Sequence, residues 1–257
     1  MRRLSTSVLA AVVASASYAC SSSSSGSGGQ GGDGQGSGAP SGSSSGSGDG
    51  GGAAGGGAGP ALGAPESGVA TYYAADGSGN CSFDPSPNDL DVAAMDDVEY
   101  AGSAVCGACV AVKGPKGSVT LRIVDRCPEC ERGHLDLSKE AFAKIADVSA
   151  GRVPISWQVV PCAVTGDVGY HYKDGTSQYW TAIQVRNHRL PIAKLEIQKG
   201  GGFVAVSREP YNYFVLGSGA GPGPVTVRIT SADGQTLTDT LPAAASDVSA
   251  QGAGQFK

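Results

Sequence analysis

Six cysteines gathered in one stretch of an exported chain limit its fold more than any other feature. Cys81, Cys106, Cys109, Cys127, Cys130 and Cys162 all lie between Ser67 and Asp167. An even number of cysteines in one exported domain reads as three disulfides, and so as a cross-linked, loop-rich fold. A rival reading exists, because Cys106-x2-Cys109, seventeen residues and then Cys127-x2-Cys130 is a zinc-ribbon spacing. Zinc would leave Cys81 and Cys162 unused, and an exported chain meets an oxidising compartment. Disulfides are therefore favoured, and no metal or other cofactor is expected. The spacing leaves the connectivity open.

Export is read from the N-terminus. Arg2 and Arg3 precede the short apolar run Leu4–Ala16, which is too short for a membrane span and suits a signal peptide. Ser17-Tyr18-Ala19 is a small-x-small cleavage site, and Cys20 follows at once, the position of a lipid anchor. Ser17 stands where such anchors usually have a branched apolar residue, so plain secretion is the alternative. Ser21–Pro60 is nearly all Gly and Ser, with Asp33 and Asp49 its only charges, a composition that cannot bury a core and makes a tether. The expected organisation is a signal peptide over 1–19, a Gly/Ser-rich linker over 20–66 and two domains, 67–163 and 168–245. The product is expected outside the cell, secreted or tethered, as a monomer.

The two domains differ in charge. Ser67–Asp167 carries eight Lys/Arg against fourteen Asp/Glu, whereas Val168 onward carries eight against six. Neither has the basic excess of a nucleic-acid binder. Short runs rich in Val, Ile, Thr and aromatics, punctuated by Gly, Pro and Asp, predict a nearly all-β chain. In the first domain these are Val69–Ala74, Cys109–Lys113, Ser118–Val124 and Val153–Val160, with G-P-K-G at 114–117 as a hairpin turn. Two short helices are expected, one near Asn88–Met95 and one over Ser138–Asp147, where Ser138 can cap and Phe142 and Ile145 have helical spacing. The second domain has runs at Trp180–Arg186, Ala193–Gln198, Phe203–Ser207, Tyr213–Leu216, Val225–Thr230 and Thr236–Leu241, the pattern of an antiparallel sandwich. The tail after Ala243 is expected to fray.

The chemistry concentrates in Ile123–Ser138, I-V-D-R-C-P-E-C-E-R-G-H-L-D-L-S. Asp125 ends a strand, Glu129 sits in the turn between two cysteines, and Asp136 lies between two leucines. Carboxylates in such settings are candidates for shifted pKa values and for gripping polyols. A pair of acids beside one cleft would suggest glycoside hydrolysis. His134 reads as a solvated or turn histidine, since no nucleophile accompanies it. Trp157 in I-S-W-Q-V reads as core. Arg186, Asn187 and His188 read as a polar turn without chemistry.

V-A-T-Y-Y, V-x-G-P-K-G, V-D-R-C-P-E-C-x-R-G-H-L-D-L-S and I-S-W-Q-V-V together resemble the first domain of bacterial expansins. Y-W-T-A-I-Q-V-R-N-H-R-L-P and P-Y-N-Y-F-V resemble their second domain. The resemblance runs in order from Ser67 to about Leu241. It implies a six-stranded double-psi β-barrel followed by an immunoglobulin-like β-sandwich. It also implies a protein that binds cellulose and other wall polysaccharides and loosens them without hydrolysis. The family's cleft Thr matches Thr71, the position two later is Tyr73, and its three acids match Asp125, Glu129 and Asp136. A cleft Tyr of some members falls at Cys127, so Tyr72 or Tyr73 would have to supply that aromatic contact. The family's linear aromatic platform matches Tyr179, Trp180 and Tyr211, with Lys173 nearby.

The same resemblance frames the alternatives. Endoglucanases sharing this barrel carry a base in the first strand, at the position that is Ala74 here, and alanine takes no proton. Asp76, two residues on and on the same side by strand alternation, is a candidate substitute base, but A-A-D-G-S-G reads as a loop. A peptidoglycan lytic transglycosylase needs one acid and remains an alternative, as does a pure carbohydrate-binding protein with an inert barrel.

Overall fold

A computed structural model describes residues 62–257. The export signal, Cys20 and most of the Gly/Ser-rich segment lie outside the described residues. The first six strands are β1 (Glu66–Tyr73), β2 (Val92–Asp96), β3 (Cys109–Lys113), β4 (Ser118–Cys127), β5 (Leu135–Ser138) and β6 (Val153–Val160), which close into a barrel in the order β1-β5-β2-β4-β3-β6. β1 and β5 run parallel, as do β2 and β4, while β2 and β5 run antiparallel. This all-β barrel is the double-psi form that the resemblance implies. Inward-facing Val110, Val112, Leu121, Ile123, Leu135, Leu137, Ile155 and Trp157 fill it. Trp157 is a core residue, and its indole N–H donates to the Gly133 carbonyl at 3.0 Å.

Two local expectations meet different fates. α2 (Lys139–Ile145) forms with Ser138 as its cap, the Ser138 Oγ accepting from the Ala141 amide at 3.0 Å, and Phe142 and Ile145 are buried beneath it. The helix expected near Asn88–Met95 is instead strand β2. Its alanines favour a helix locally, but the segment is flanked by β5 and β4 and every residue of it is buried, so sheet pairing overrides propensity. A single turn α1 (Asp97–Tyr100), capped by Asp96, follows it and runs into a 3-10 turn at Ala101–Ser103.

The second half has eight strands: β7 (Gly169–Tyr172), β8 (Thr181–Arg186), β9 (Ile192–Lys199), β10 (Gly202–Arg208), β11 (Phe214–Leu216), β12 (Pro224–Ser231), β13 (Thr236–Ala243) and β14 (Ser249–Gln251). Their order is β13-β12-β9-β10-β11-β8-β7-β14. β10 serves both layers of the sandwich, since Gly202–Val206 pair with β9 and Ser207–Arg208 with β11. Tyr170, Ile183, Leu195, Val227 and Ile229 lie in the core between the layers. The tail does not fray. β14 pairs with β7, and Phe256 is buried in the same core. A small, polar sequence hides this because one aromatic anchor is enough to fix the end.

Barrel and sandwich share a hydrogen-bonded boundary. Asn80 Nδ2 and the Tyr100 hydroxyl both donate to the Pro210 carbonyl at 2.9 Å, and Gln184 Nε2 donates to the Cys81 carbonyl at 2.8 Å. Arg186 lies in β8 and pairs with Asp84 at 2.7 Å. His188, read from sequence as part of an idle polar turn, is buried against Gly107 and bonds the Leu190 carbonyl through Nδ1 at 2.8 Å.

The cysteines pair as Cys81–Cys106, Cys109–Cys162 and Cys127–Cys130. This breaks up the apparent zinc-ribbon pattern, because Cys106 and Cys109 go to different partners while Cys127 and Cys130 bond to each other. The three bonds close loops of very different length, with sequence separations of 25, 53 and 3. Chain-entropy arguments give about 4 kcal/mol for the Cys109–Cys162 cross-link and about 1–2 kcal/mol for Cys127–Cys130. Thermal unfolding without reductant should therefore show a large fall in Tm for Cys109→Ala/Cys162→Ala and a small one for Cys127→Ala/Cys130→Ala. The order is reversed if the short loop is the main staple.

Candidate functional site

The barrel register draws the acids into a row. Thr71 on β1 pairs with Asp136 on β5, Asp136 pairs with Ala94 on β2, and Ala94 pairs with Asp125 on β4. Four adjacent strands thus carry Thr71, Asp136, Ala94 and Asp125 across one end of the barrel. Small, apolar Ala94 keeps the space between the two carboxylates open. A cavity of about 310 Å³ opens at Asp136, lined by Thr71, Cys127, Glu129, Cys130, Glu131, His134 and Arg152. A larger cavity of about 480 Å³ lies elsewhere, among Phe83, Asp89, Asp91, Arg122 and His188. Asp91 there is bound to Lys144 and Asp89 faces Arg122, and none of the acid row enters it.

Each group in the row has a defined environment. Thr71 Oγ1 donates to Asp136 Oδ1 at 2.5 Å. Burial pushes the Asp136 carboxyl above the usual range; the Thr71 hydrogen bond and His134 oppose this, and Glu129 and Asp125 reinforce it. Asp125 Oδ1 accepts from the backbone N–H of Asn80 at 2.6 Å and of Arg126 at 2.8 Å. It therefore pins the loop after β1 over the cleft. Gly79 makes that crossing possible, since a Cβ there would lie 2.5 Å from Asp125 Cβ and Cγ. The phenol oxygen of Tyr73 is buried with no hydrogen-bond partner among the described residues. Burial first, then Asp125 and Asp136, hold its pKa well above the ordinary value, so it stays a neutral donor.

Glu129 is carried on the short Cys127–Cys130 loop at the cavity lip, which places a carboxylate where the covalent ring restricts the backbone. Asp76 is turned to another task. Its Oδ1 accepts from Ser78 N at 2.9 Å and Ser78 Oγ at 2.6 Å, closing its own turn, and those bonds lower its pKa. An exposed carboxylate held ionised by its own loop is not set up as a buried partner to Asp136.

His134 does lie at a turn, its N–H donating to the Glu131 carbonyl at 3.0 Å, but at 6% exposed it is not a solvated histidine. Its Nε2 lies 2.8 Å from Thr71 Oγ1. Burial, then Arg152, push its pKa down. No sequence signal marks Arg152, which precedes β6 and reaches the cleft only when the barrel closes. The strand alternation H-L-D-L, which places His134 and Asp136 on the same side, was the available signal for His134.

On the sandwich, Tyr179 and Trp180 stand in a tight turn before β8, closed by the Ser177 N–H donating to the Trp180 carbonyl at 2.8 Å. Because they lie outside the strand, they escape the alternation that would bury one of them. Tyr179 is 76% exposed. The turn is clamped by the segment after β11: Gly221 N donates to the Gln178 carbonyl at 3.0 Å, and Gly219 approaches so closely that a Cβ would lie 2.0 Å from that same oxygen. Tyr211 lies in the β10–β11 loop, its ring 6.0 Å from that of buried Tyr213. Lys173 Nζ sits 5.6 Å from the Tyr213 ring centroid. Tyr213, not singled out in the sequence, thus backs both Tyr211 and Lys173. Among the described residues no group of three or more His, Cys, Asp or Glu is arranged to hold a metal ion.

Comparison with known proteins places this geometry. Residues 66–157 match a family model described as lytic transglycolase. Over 180 residues the chain is 40% identical to Expansin-YoaJ of Bacillus subtilis (strain 168), covering 68% of this chain and 77% of that protein. It is 32% identical over 202 residues to Expansin-like protein 2 of Dictyostelium discoideum, covering 74% of this chain and half (50%) of that longer protein. The crystal structure of an expansin of Clavibacter michiganensis superposes with a TM-score of 0.70 at 35% identity, covering 76% of this chain and 98% of that one. A second structure of that protein, an Asp-to-Asn variant in complex with cellohexaose, matches equally. With its barrel, sandwich and sequence all in accord, the chain belongs to the expansin family.

Proposed function

We propose that this protein loosens cellulosic wall material without cutting it, binding cellulose through the sandwich and disturbing glucan contacts at the barrel cleft. The observation that carries this reading is the strand row Thr71–Asp136–Ala94–Asp125. It offers one half-buried acid with a raised pKa, while just past the first strand Ala74 and the self-bonded Asp76 supply no base to activate a water. Inverting hydrolysis requires an acid and a base about 6.5–9.5 Å apart. A single protonated carboxyl can instead donate to a glucan oxygen while neighbouring acids accept from hydroxyls. Each such bond contributes about 1 kcal/mol net, and several made together compete with the contacts between neighbouring glucan chains.

In this reading Asp136 and Asp125 are the functional acids of a non-hydrolytic cleft, and Thr71, Tyr73 and Glu129 contact the polysaccharide there. Tyr179, Trp180 and Tyr211 stack on glucose faces, with Lys173 beside them. The co-crystallised cellohexaose of the Clavibacter relative supports a cellulose-like ligand. The protein acts outside the cell, as its export signal and disulfides suggest, with the Gly/Ser-rich segment as a tether and Cys20 as a lipid attachment point.

A second reading has one specific support. The barrel matches the lytic transglycolase description, and such chemistry needs only one acid. Incubation with purified peptidoglycan and with cellulose separates the two. The loosening reading expects neither muropeptides nor soluble reducing ends above a protein-free control. Muropeptide release that vanishes in Asp136→Asn would establish the transglycosylase instead.

A further inference from the structure

We propose that His134 is a positioning residue that turns the acid proton of Asp136 outward, acting through the Thr71 hydroxyl. The proposal rests on the loosening function assigned to Asp136 above.

Thr71 Oγ1 lies between two partners, Asp136 Oδ1 at 2.5 Å and His134 Nε2 at 2.8 Å. A threonine hydroxyl has one hydrogen, so it donates to one neighbour and accepts from the other. When Asp136 is ionised its Oδ1 must be given a hydrogen, and among the described residues Thr71 is the one that supplies it. The Thr71 hydrogen is then committed, and His134 Nε2 must carry a proton and donate. His134 Nδ1 has no hydrogen-bond partner among the described residues, so nothing there competes for that proton. The chain Nε2–H to Oγ1–H to Oδ1 is closed at its inner end. A proton arriving from the cleft therefore attaches to Oδ2, which has no partner among the described residues. No bond inside the chain breaks when it arrives. Imidazolium and neutral Nε2–H imidazole both satisfy the arrangement, so the orientation holds across the titration of His134.

The surroundings keep the arrangement in place. Burial disfavours both charges, raising Asp136 and lowering His134. Arg152 faces His134 from the segment before β6, and Glu129 and Glu131 face it from the β4–β5 loop. Asp125 on β4 and Tyr73 on β1 complete the charged and titratable groups about Asp136. The backbone of His134 is fixed too: its carbonyl accepts from Asp96 N at 3.3 Å, and its N–H donates to the Glu131 carbonyl at 3.0 Å.

Without His134, Thr71 is free to rotate and accept from a proton on Oδ1, which withdraws the acid from the cleft. Two measurements on the full chain test this. Nitrogen-15 and proton spectra of the imidazole should show Nε2 protonated and Nδ1 bare above the His134 pKa, with the Nε2–H signal lost in Thr71→Val. A bare Nε2 with protonated Nδ1 overturns the proposal, whether or not the protein loosens walls. In wall extension, His134→Leu should fall at least fivefold and His134→Gln, whose amide can donate to Thr71, should recover most of that loss. Equal impairment of the Leu and Gln variants, with unchanged thermal stability, would mean that His134 acts through packing and the proposal fails. A wild type inactive on walls would overturn the function and leave the imidazole result to decide the proton arrangement.

Discussion

Asp136→Asn is expected to abolish wall extension while leaving folding and cellulose retention intact. The amide preserves shape, so Thr71 still donates to the retained oxygen. It cannot act as an acid, and it cannot take the negative charge that a carboxylate offers to hydroxyls. Hydrogen bonds to charged groups contribute about 1.5–3 kcal/mol, so losing them costs roughly tenfold or more in loosening rate. The stability of this variant has a distinctive pH dependence. The folded pKa of Asp136 is raised by burial, so the wild type holds its full contribution at acid pH, below the unfolded value. It loses that contribution as pH rises through the folded value. The asparagine variant does not ionise and should match or exceed the wild-type Tm at neutral pH, while the difference narrows or reverses in acid. Thermal scans from acid to neutral pH check this, and a variant that is less stable at neutral pH than in acid, relative to wild type, contradicts it.

Removing the rings of Tyr179, Trp180 and Tyr211 together should release the protein from cellulose. Stacking on glucose faces buries apolar ring surface, and at about 1 kcal/mol per ring three rings amount to roughly a hundredfold or more in affinity. Salt should have little effect, because screening acts on charges. Lys173→Ala should cost less than the triple variant, since Lys173 Nζ lies over the ring of buried Tyr213. Depletion onto purified cellulose across a salt series measures all three. Retention of the triple alanine variant, or release of the wild type by moderate salt, would point to a charge-driven site in place of the rings.

Much of this architecture is legible in the chain, and the exceptions have physical causes. The hairpin at 114–117 and the cap at Ser138 are local, and local chemistry determines them. β2 was hidden because its alanines speak for a helix and only pairing on both sides makes it a strand. β5 was hidden because L-D-L-S is too short to alternate convincingly, yet it carries Asp136. The ends of the sandwich, β14 and Phe256, depend on a core contributed by distant strands. In the site, Asp125, Glu129 and Asp136 stand out through their setting in one motif. The roles of His134 and Arg152 do not, because they arise from contacts with β1 and from a loop that arrives only when the barrel closes. The cysteine connectivity was equally closed to spacing, since Cys106 and Cys109 are neighbours in sequence but face opposite partners.

An acid without a base can loosen cellulose but cannot cut it. The most direct test of this is the extension of a heat-inactivated cellulosic wall strip under constant load, with soluble reducing ends assayed in the same bath. Wild-type protein should produce sustained creep with no reducing ends above background, and Asp136→Asn should produce neither. Creep accompanied by steady release of reducing ends, lost in Asp76→Asn, would show that Asp76 serves as a base and that the cleft hydrolyses.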